Sequence, residues 1–302
     1  MPTCDATKLA VMSSSLPSGY RALAEVQKAV SAIGRPFSYG RSVHGQELFG
    51  TELGATDSDA PHVLVLAGIH AQEWIGVEVA LRVLDRLAAD PPADFTVLVV
   101  PVANPDGYLA VERDLRARRI RWRRANARGV DLNRNFPTYF RRWRLGTFVP
   151  RALDVFAQGR HPRSEPEVDS LLSMLEARGR VARTLSLHSF GARVLHPYCA
   201  KWRAPRDDHR ARDAARAIAR DSGYVAVQGS HWVPGWFAYG TELDHFHEAF
   251  GAVSLLVECS RGGIRLRSPT SLFAPFHWFN PPDPDRVTSE LEDALLAYVR
   301  GG

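Results

Sequence analysis

Cysteine is scarce in this chain of 302 residues: only Cys4, Cys199 and Cys259 occur. Three thiols cannot build a disulfide framework, and none lies in a paired metal-ligating spacing. Long apolar runs are missing too, with nothing approaching the ~18 residues that a membrane-spanning helix requires. The first residues, Met1-Pro2-Thr3-Cys4-Asp5, lack a basic head followed by an apolar stretch, so no secretory leader is visible. These absences predict a reduced, cytoplasmic setting. Internal repeats and low-complexity linkers are also lacking. Lysine is nearly absent, so arginine carries the net charge of +5, and it crowds between Arg113 and Arg128. Such a cluster can mark a nucleic-acid surface or simply a solvated basic face.

What is present suffices for a packed core: 45% of residues are hydrophobic and 10% aromatic. The length allows one large α/β domain or two small ones. Residues 1–35 read as a helical lead-in, with Leu23, Val26, Val30 and Ile33 at helical spacing. Gly45-Gln46 reads as a turn between two short strands. Strands are predicted over 63–67, 95–101, 184–188 and 253–258, and helices over 75–87, 208–222 and 284–300. Ser164 and Glu167 have the spacing of a capping box opening a helix to about residue 177. This alternation implies a mostly parallel sheet covered on both faces. In such sheets, sites lie at the carboxyl ends of strands, where His70, His188 and Glu258 all fall.

His70 and Glu73 lie in Gly68-Ile69-His70-Ala71-Gln72-Glu73-Trp74-Ile75, between a strand and a helix. An imidazole and a carboxylate so placed can converge on one metal ion. Catalytic zinc takes three protein ligands and leaves a fourth position open. The pair therefore asks for a third ligand, and His188, in Leu185-Ser186-Leu187-His188-Ser189-Phe190, offers one.

Six segments occur in a telling order. They are residues 68–75, Asn104-Pro105-Asp106-Gly107-Tyr108, Gly129-Val130-Asp131-Leu132-Asn133-Arg134-Asn135-Phe136, Ser164-Glu165-Pro166-Glu167-Val168, residues 185–189 and Val257-Glu258-Cys259. In these the chain resembles the zinc metallocarboxypeptidases of the carboxypeptidase A/B type. The resemblance implies one domain over residues 1–302, with its catalytic core from about residue 36. It also implies a mixed, mostly parallel eight-stranded central sheet with helices on both faces. One Zn2+ per chain is expected on His70, Glu73 and His188, with Glu258 as general base. Trp122-Arg123 is similar to the family's Trp-Arg pair, making Arg123 the expected oxyanion donor. Asn133 and Arg134 match the pair that reads a free C-terminal carboxylate. The expected partner is a peptide with such an end; the arginine field then serves to draw anionic termini, and neither nucleic acid nor membrane is expected.

The chain departs from the family pattern in one respect. The mobile tyrosine upstream of the catalytic glutamate corresponds to a place near Val227, and neither Tyr224 nor Tyr239 sits in register. The stretch before Glu258 is also longer, and residues 241–250 are predicted to form an added surface helix, with His245 and His247 on its polar, exposed face. A metallocarboxypeptidase is the reading that follows. Two alternatives stay open: an amidase acting on bacterial cell-wall peptides, such as a γ-D-glutamyl-diaminopimelate bond, and a non-catalytic peptide-binding protein.

Overall fold

Alternating apolar residues set the sheet's two faces. Along β3 (His62–Ala67) and β4 (Thr96–Val100), successive side chains point to opposite sides, as the pleat requires. Val63, Val65, Ala67, Val97 and Val99 join one core cluster, while Leu64, Leu66, Leu98 and Val100 join another. Both strands are buried along their whole length, as expected of strands covered on both faces. The computed structural model describes residues 15–141, 156–206, 209–233, 235–263 and 274–301. Residues 1–14, the first part of the predicted lead-in, lie outside that range.

The remaining strands are β1 (Arg35–Arg41), β2 (Glu47–Gly54), β5 (Val181–His188), β6 (Arg193–His196), β7 (Val225–Gln228) and β8 (Val253–Glu258). Together they form one eight-stranded sheet in the order β1-β2-β4-β3-β5-β8-β6-β7. The pairs β3/β4, β3/β5, β5/β8 and β6/β7 are parallel. The pairs β1/β2, β2/β4 and β6/β8 are antiparallel. Mixed and mostly parallel, this is the expected sheet.

Helices α1 (Leu23–Ser31), α2 (Trp74–Ala89), α5 (His209–Ser222) and α8 (Pro284–Arg300) cover one face through Val26, Val83, Ile218 and Leu291. Helices α4 (Pro166–Arg178) and α6 (Glu242–Phe250) cover the other through Leu172 and Phe246. Helix α3 (Pro105–Arg116) starts on Asn104, whose Oδ1 accepts from the Gly107 amide at 3.0 Å. The turn α7 (Phe276–Phe279) ends at Asn280.

The capping box at Ser164 is not formed. Glu165 is the N-cap and Pro166 opens α4, a position where the missing proline N–H costs nothing. The Ser164 hydroxyl instead donates to Glu165 Oε1 and accepts from Asn135 Nδ2. Helix α6 corrects a second expectation. It is no surface appendage, because Glu242, Leu243, Asp244, His245 and Phe246 are all buried. Its polar residues find partners inside: Asp244 accepts from the Cys199 and Ala200 amides, and His245 Nδ1 lies 2.8 Å from Thr138 Oγ1.

Candidate metal centre

The centre sits where three neighbouring parallel strands end. His188 is the last residue of β5 and is paired in register with Glu258, the last residue of β8. His70 follows β3, the other neighbour of β5, after a tight turn at Gly68 (φ 62°). A Cβ there would lie 2.9 Å from the Pro101 carbonyl oxygen, so only glycine lets the chain turn this closely. The Asn104 side chain holds the same loop from below, donating to the Ile69 carbonyl at 3.3 Å. Asn280 ties down its far end, accepting from the Ile75 amide at 2.9 Å and donating to the Gln72 carbonyl at 2.7 Å. Part of the first turn of α2, where amides lack intrahelical acceptors, is satisfied in this way.

His70, Glu73 and His188 bring one ligand atom each to within 4.8 Å of one another, and all three are buried. His70 Nδ1 lies 2.9 Å from Glu73 Oε1, while His188 Nδ1 lies 3.1 Å from Glu73 Oε2 and 3.1 Å from His70 Nδ1. Both imidazoles therefore turn Nδ1 inward and Nε2 outward. His70 Nε2 meets Asp131 Oδ1 at 3.2 Å, and His188 Nε2 meets Glu242 Oε1 at 2.7 Å. A carboxylate behind each imidazole is the arrangement that fixes a histidine ligand's tautomer and ring orientation.

Charge and satisfaction both fit a cation. Four buried carboxylates, Glu73, Asp131, Glu242 and Glu258, surround the two histidines against two guanidiniums, Arg124 and Arg134. Among the described residues neither Glu258 Oε2 nor Glu242 Oε2 has a hydrogen-bond partner. Burial, and then the Glu73 carboxylate, push Glu258 up to about 8. Burial would also raise Glu73, but His70 and His188 outweigh it and hold that carboxyl below the ordinary range. At His188 burial alone would lower the pKa; Glu242 and Glu73 reverse this and bring it to about 10. Two nitrogens and a carboxylate in a buried, electron-rich pocket match zinc's usual ligand set.

Beside the centre two neighbouring arginines, Arg123 and Arg124, face in different directions. Arg123 points away, its Nε donating to Asp114 at 2.8 Å. Arg124 turns in, with Nε 2.8 Å from Asp131 Oδ2 and Nη1 3.5 Å from Glu73 Oε1. The cause is local. Residues 121–124, outside any helix or strand, are held against the His70 loop, with the Arg123 amide on Gln72 Oε1 and the Arg124 carbonyl on the Ala71 amide. These two backbone contacts fix which side chain of the pair turns in, and a cluster of neighbouring arginines cannot show that from sequence.

Asn133 and Arg134 lie in a short 3-10 turn capped by Asp131. Asn133 Oδ1 accepts from the Glu242 amide at 3.0 Å, so its Nδ2 faces elsewhere. Gly240 (φ 69°) precedes α6 and packs on this turn, where a Cβ would lie 2.5 Å from the Arg134 carbonyl oxygen. The Arg134 and Arg124 guanidiniums both sit 5.5 Å from the Phe156 ring centre. Burial, with Arg124 nearby, holds the Arg134 pKa below its ordinary value despite Asp131. Tyr224 is buried, with its hydroxyl accepting from the Ser260 amide, and Tyr239 lies under Arg141; neither bonds to the centre.

The description of the zinc carboxypeptidase family matches residues 19–263. The chain belongs to the zinc carboxypeptidase family. Rat (Rattus norvegicus) carboxypeptidase A2 is 32% identical over 185 residues, covering 56% of this chain and 44% of that protein. The chain thus spans about half the length of the curated relatives it matches. Among solved structures, the fold is similar to carboxypeptidase A from Helicoverpa armigera, with a TM-score of 0.75, 21% identity, and 93% and 73% of the two chains covered. It is also similar to the murein-tripeptide amidase MpaA from Escherichia coli O157, with a TM-score of 0.58, 21% identity, and 96% and 99% covered. Among the described residues no helix is long and apolar enough to cross a membrane.

Two residues of the centre escaped the sequence reading. Arg124 was masked by its neighbours, while Glu242 lies in a segment whose acidic composition looks solvent-facing.

Proposed function

We propose that this family member is a zinc-dependent exopeptidase that hydrolyses the C-terminal peptide bond of a peptide. The observation that carries the reading is Glu258: a buried carboxylate, in register with His188, with Oε2 unpartnered beside three convergent ligand atoms. His70, Glu73 and His188 would hold the zinc, which would supply Lewis acidity toward a carbonyl and acidify water toward a pKa of ~7. Glu258 takes the proton from the attacking water and delivers it to the leaving amine. Arg124, held by Asp131 through Nε, has further N–H groups for the oxygen on which negative charge develops. Arg123 is not given that role. Asn133 Nδ2 and the Arg134 fork receive the substrate's terminal carboxylate, a planar pairing that lysine does not reproduce.

The test is a blocked dipeptide panel with free and amidated C-termini, run beside murein tripeptide on zinc-loaded protein. Free-acid peptides are expected to be cleaved at least ~100-fold faster than their amides, since each amide leaves buried donors unpaired. Equal rates would overturn the exopeptidase reading. Release from murein tripeptide alone would move the assignment to a cell-wall amidase, and zinc binding without turnover on any member would leave a binding protein.

A further inference from the structure

Two roles compete for Glu73. That residue is the N-cap of α2, yet its side chain makes no cap hydrogen bond. Both carboxylate oxygens face the centre instead, Oε1 to His70 Nδ1 at 2.9 Å and Oε2 to His188 Nδ1 at 3.1 Å. An N-cap side chain ordinarily accepts from the amide of the second or third helical residue. Ile75 is the second residue of α2, and it is fully buried. The acceptor its amide finds is Asn280 Oδ1, at 2.9 Å and 205 residues away. Asn280 is itself 1% exposed and held in one orientation, its Nδ2 donating to the Gln72 carbonyl at 2.7 Å and to the Phe276 carbonyl at 2.8 Å. Its neighbours are anchored too. The Phe279 carbonyl accepts from the hydroxyl of Ser189, the residue after His188, and the Pro281 carbonyl from the Tyr20 hydroxyl at 2.6 Å.

We propose that Asn280 is a positioning residue for the metal centre, which caps α2 from outside so that Glu73 is left free to serve as a ligand. A cap from within the loop is ruled out, because the N-cap position is the ligand's own. Without Asn280 the Ile75 amide is a buried donor lacking a partner, and the Glu73 carboxylate relieves that cost by folding back onto its own helix. Capping and ligation then compete for the same two oxygens. The bond between Phe279 and Ser189 completes the support, since the Ser189 amide donates to Glu73 Oε2 at 3.2 Å. Residues 279 and 280 thus steady the glutamate from the side of α2 and from the side of His188.

The experiment measures zinc affinity by competition with a chelator, beside the Tm of each metal-free protein. Asn280→Leu keeps the volume and removes the polar atoms; it is expected to bind zinc at least about tenfold more weakly, the loss that follows removal of a supporting partner. Its cobalt(II)-loaded form should show shifted visible bands, because those bands follow ligand geometry. Asn280→Asp keeps the acceptor, and aspartate caps a helix as well as asparagine does, so zinc should bind within about threefold of wild type. That should hold even where its Tm drops for want of the Nδ2 donors. Tyr298→Phe is the stability control: it removes the hydroxyl shared by the Thr184 and Val253 carbonyls, so Tm should fall with zinc affinity unchanged. Affinity that follows Tm across these variants overturns the proposal, as does wild-type affinity in Asn280→Leu. A loss beyond about tenfold in Asn280→Asp overturns it too, whether or not Asn280→Leu folds. None of these measurements needs turnover, so they judge Asn280 independently of the substrate proposed above.

Discussion

Glu258 and the residues behind the histidines differ in what they should do when changed. Glu258 holds no ligand atom of the triad, so Glu258→Ala is expected to keep zinc while turnover falls about 10²–10⁴-fold, the usual worth of a positioned acid-base group. Metal analysis beside kcat checks this, and a variant with most of its turnover would remove Glu258 from its role. Glu242 works through His188, which it meets at 2.7 Å in a fully buried contact. Loss of such a partner weakens metal affinity by about 10–100-fold, so Glu242→Ala should show that loss in competition with a chelator. An unchanged affinity would make Glu242 a mere filler. The two arginines give a third contrast. Arg124→Ala should cost about 10²–10³-fold in kcat if it faces the developing oxyanion, whereas Arg123→Ala should stay within a few-fold. The reverse order would restore the assignment suggested by the Trp-Arg pair.

At the level of elements, α6 shows where pattern reading ran out and why. A stretch reading Glu-Leu-Asp-His-Phe-His-Glu looks amphipathic and wet, yet its first half is the inner wall of the centre. Burial there is made possible by partners that come from distant segments: His188 for Glu242, two amides near Cys199 for Asp244, Thr138 for His245. No local signal carries such pairings. By contrast, β3, β5, β8 and α8 were legible, since the apolar run of β3, the spaced apolar residues of β5 and β8 and a helical period survive any tertiary context. His70, Glu73 and His188 were legible because each adjoins one of those runs. Buried His245 has a measurable consequence. Burial, and then Arg163, lower its pKa to about 4, below the ordinary ~6.5 of an unfolded histidine. A depressed folded pKa means the unfolded chain binds the proton more tightly, so stability is present above pH 6.5 and is lost as pH falls toward 4. Thermal melts between pH 7.5 and 4.5 should show His245→Gln losing less stability on acidification than the wild-type protein does. Parallel losses would mean that His245 is not held neutral.

Across the whole molecule, the centre sits at one rim of a sheet whose two faces carry separate apolar clusters. Neither cluster needs the metal in order to form. Helix α8 packs on α2 and α5 at the opposite face of the strands from α6, and the Tyr298 hydroxyl bridges the Thr184 and Val253 carbonyls within the sheet. Zinc should therefore stabilise a fold that already exists, unlike a small metal-dependent domain that is unfolded without its ion. Free zinc at a hundred times its dissociation constant contributes about 2.7 kcal/mol through mass action. With unfolding entropy near 2.1 cal/mol/K per residue, that corresponds to a rise of only about 4 °C in Tm for a chain of this size. Chelated protein is expected to melt cooperatively, a few degrees below the zinc-loaded form, and to recover on adding zinc. His188→Ala should melt at the same temperature with and without the metal. Unfolding on chelation at room temperature would show that the four buried carboxylates cannot be held together without a cation. In that case the metal would be part of the core rather than a guest at its edge.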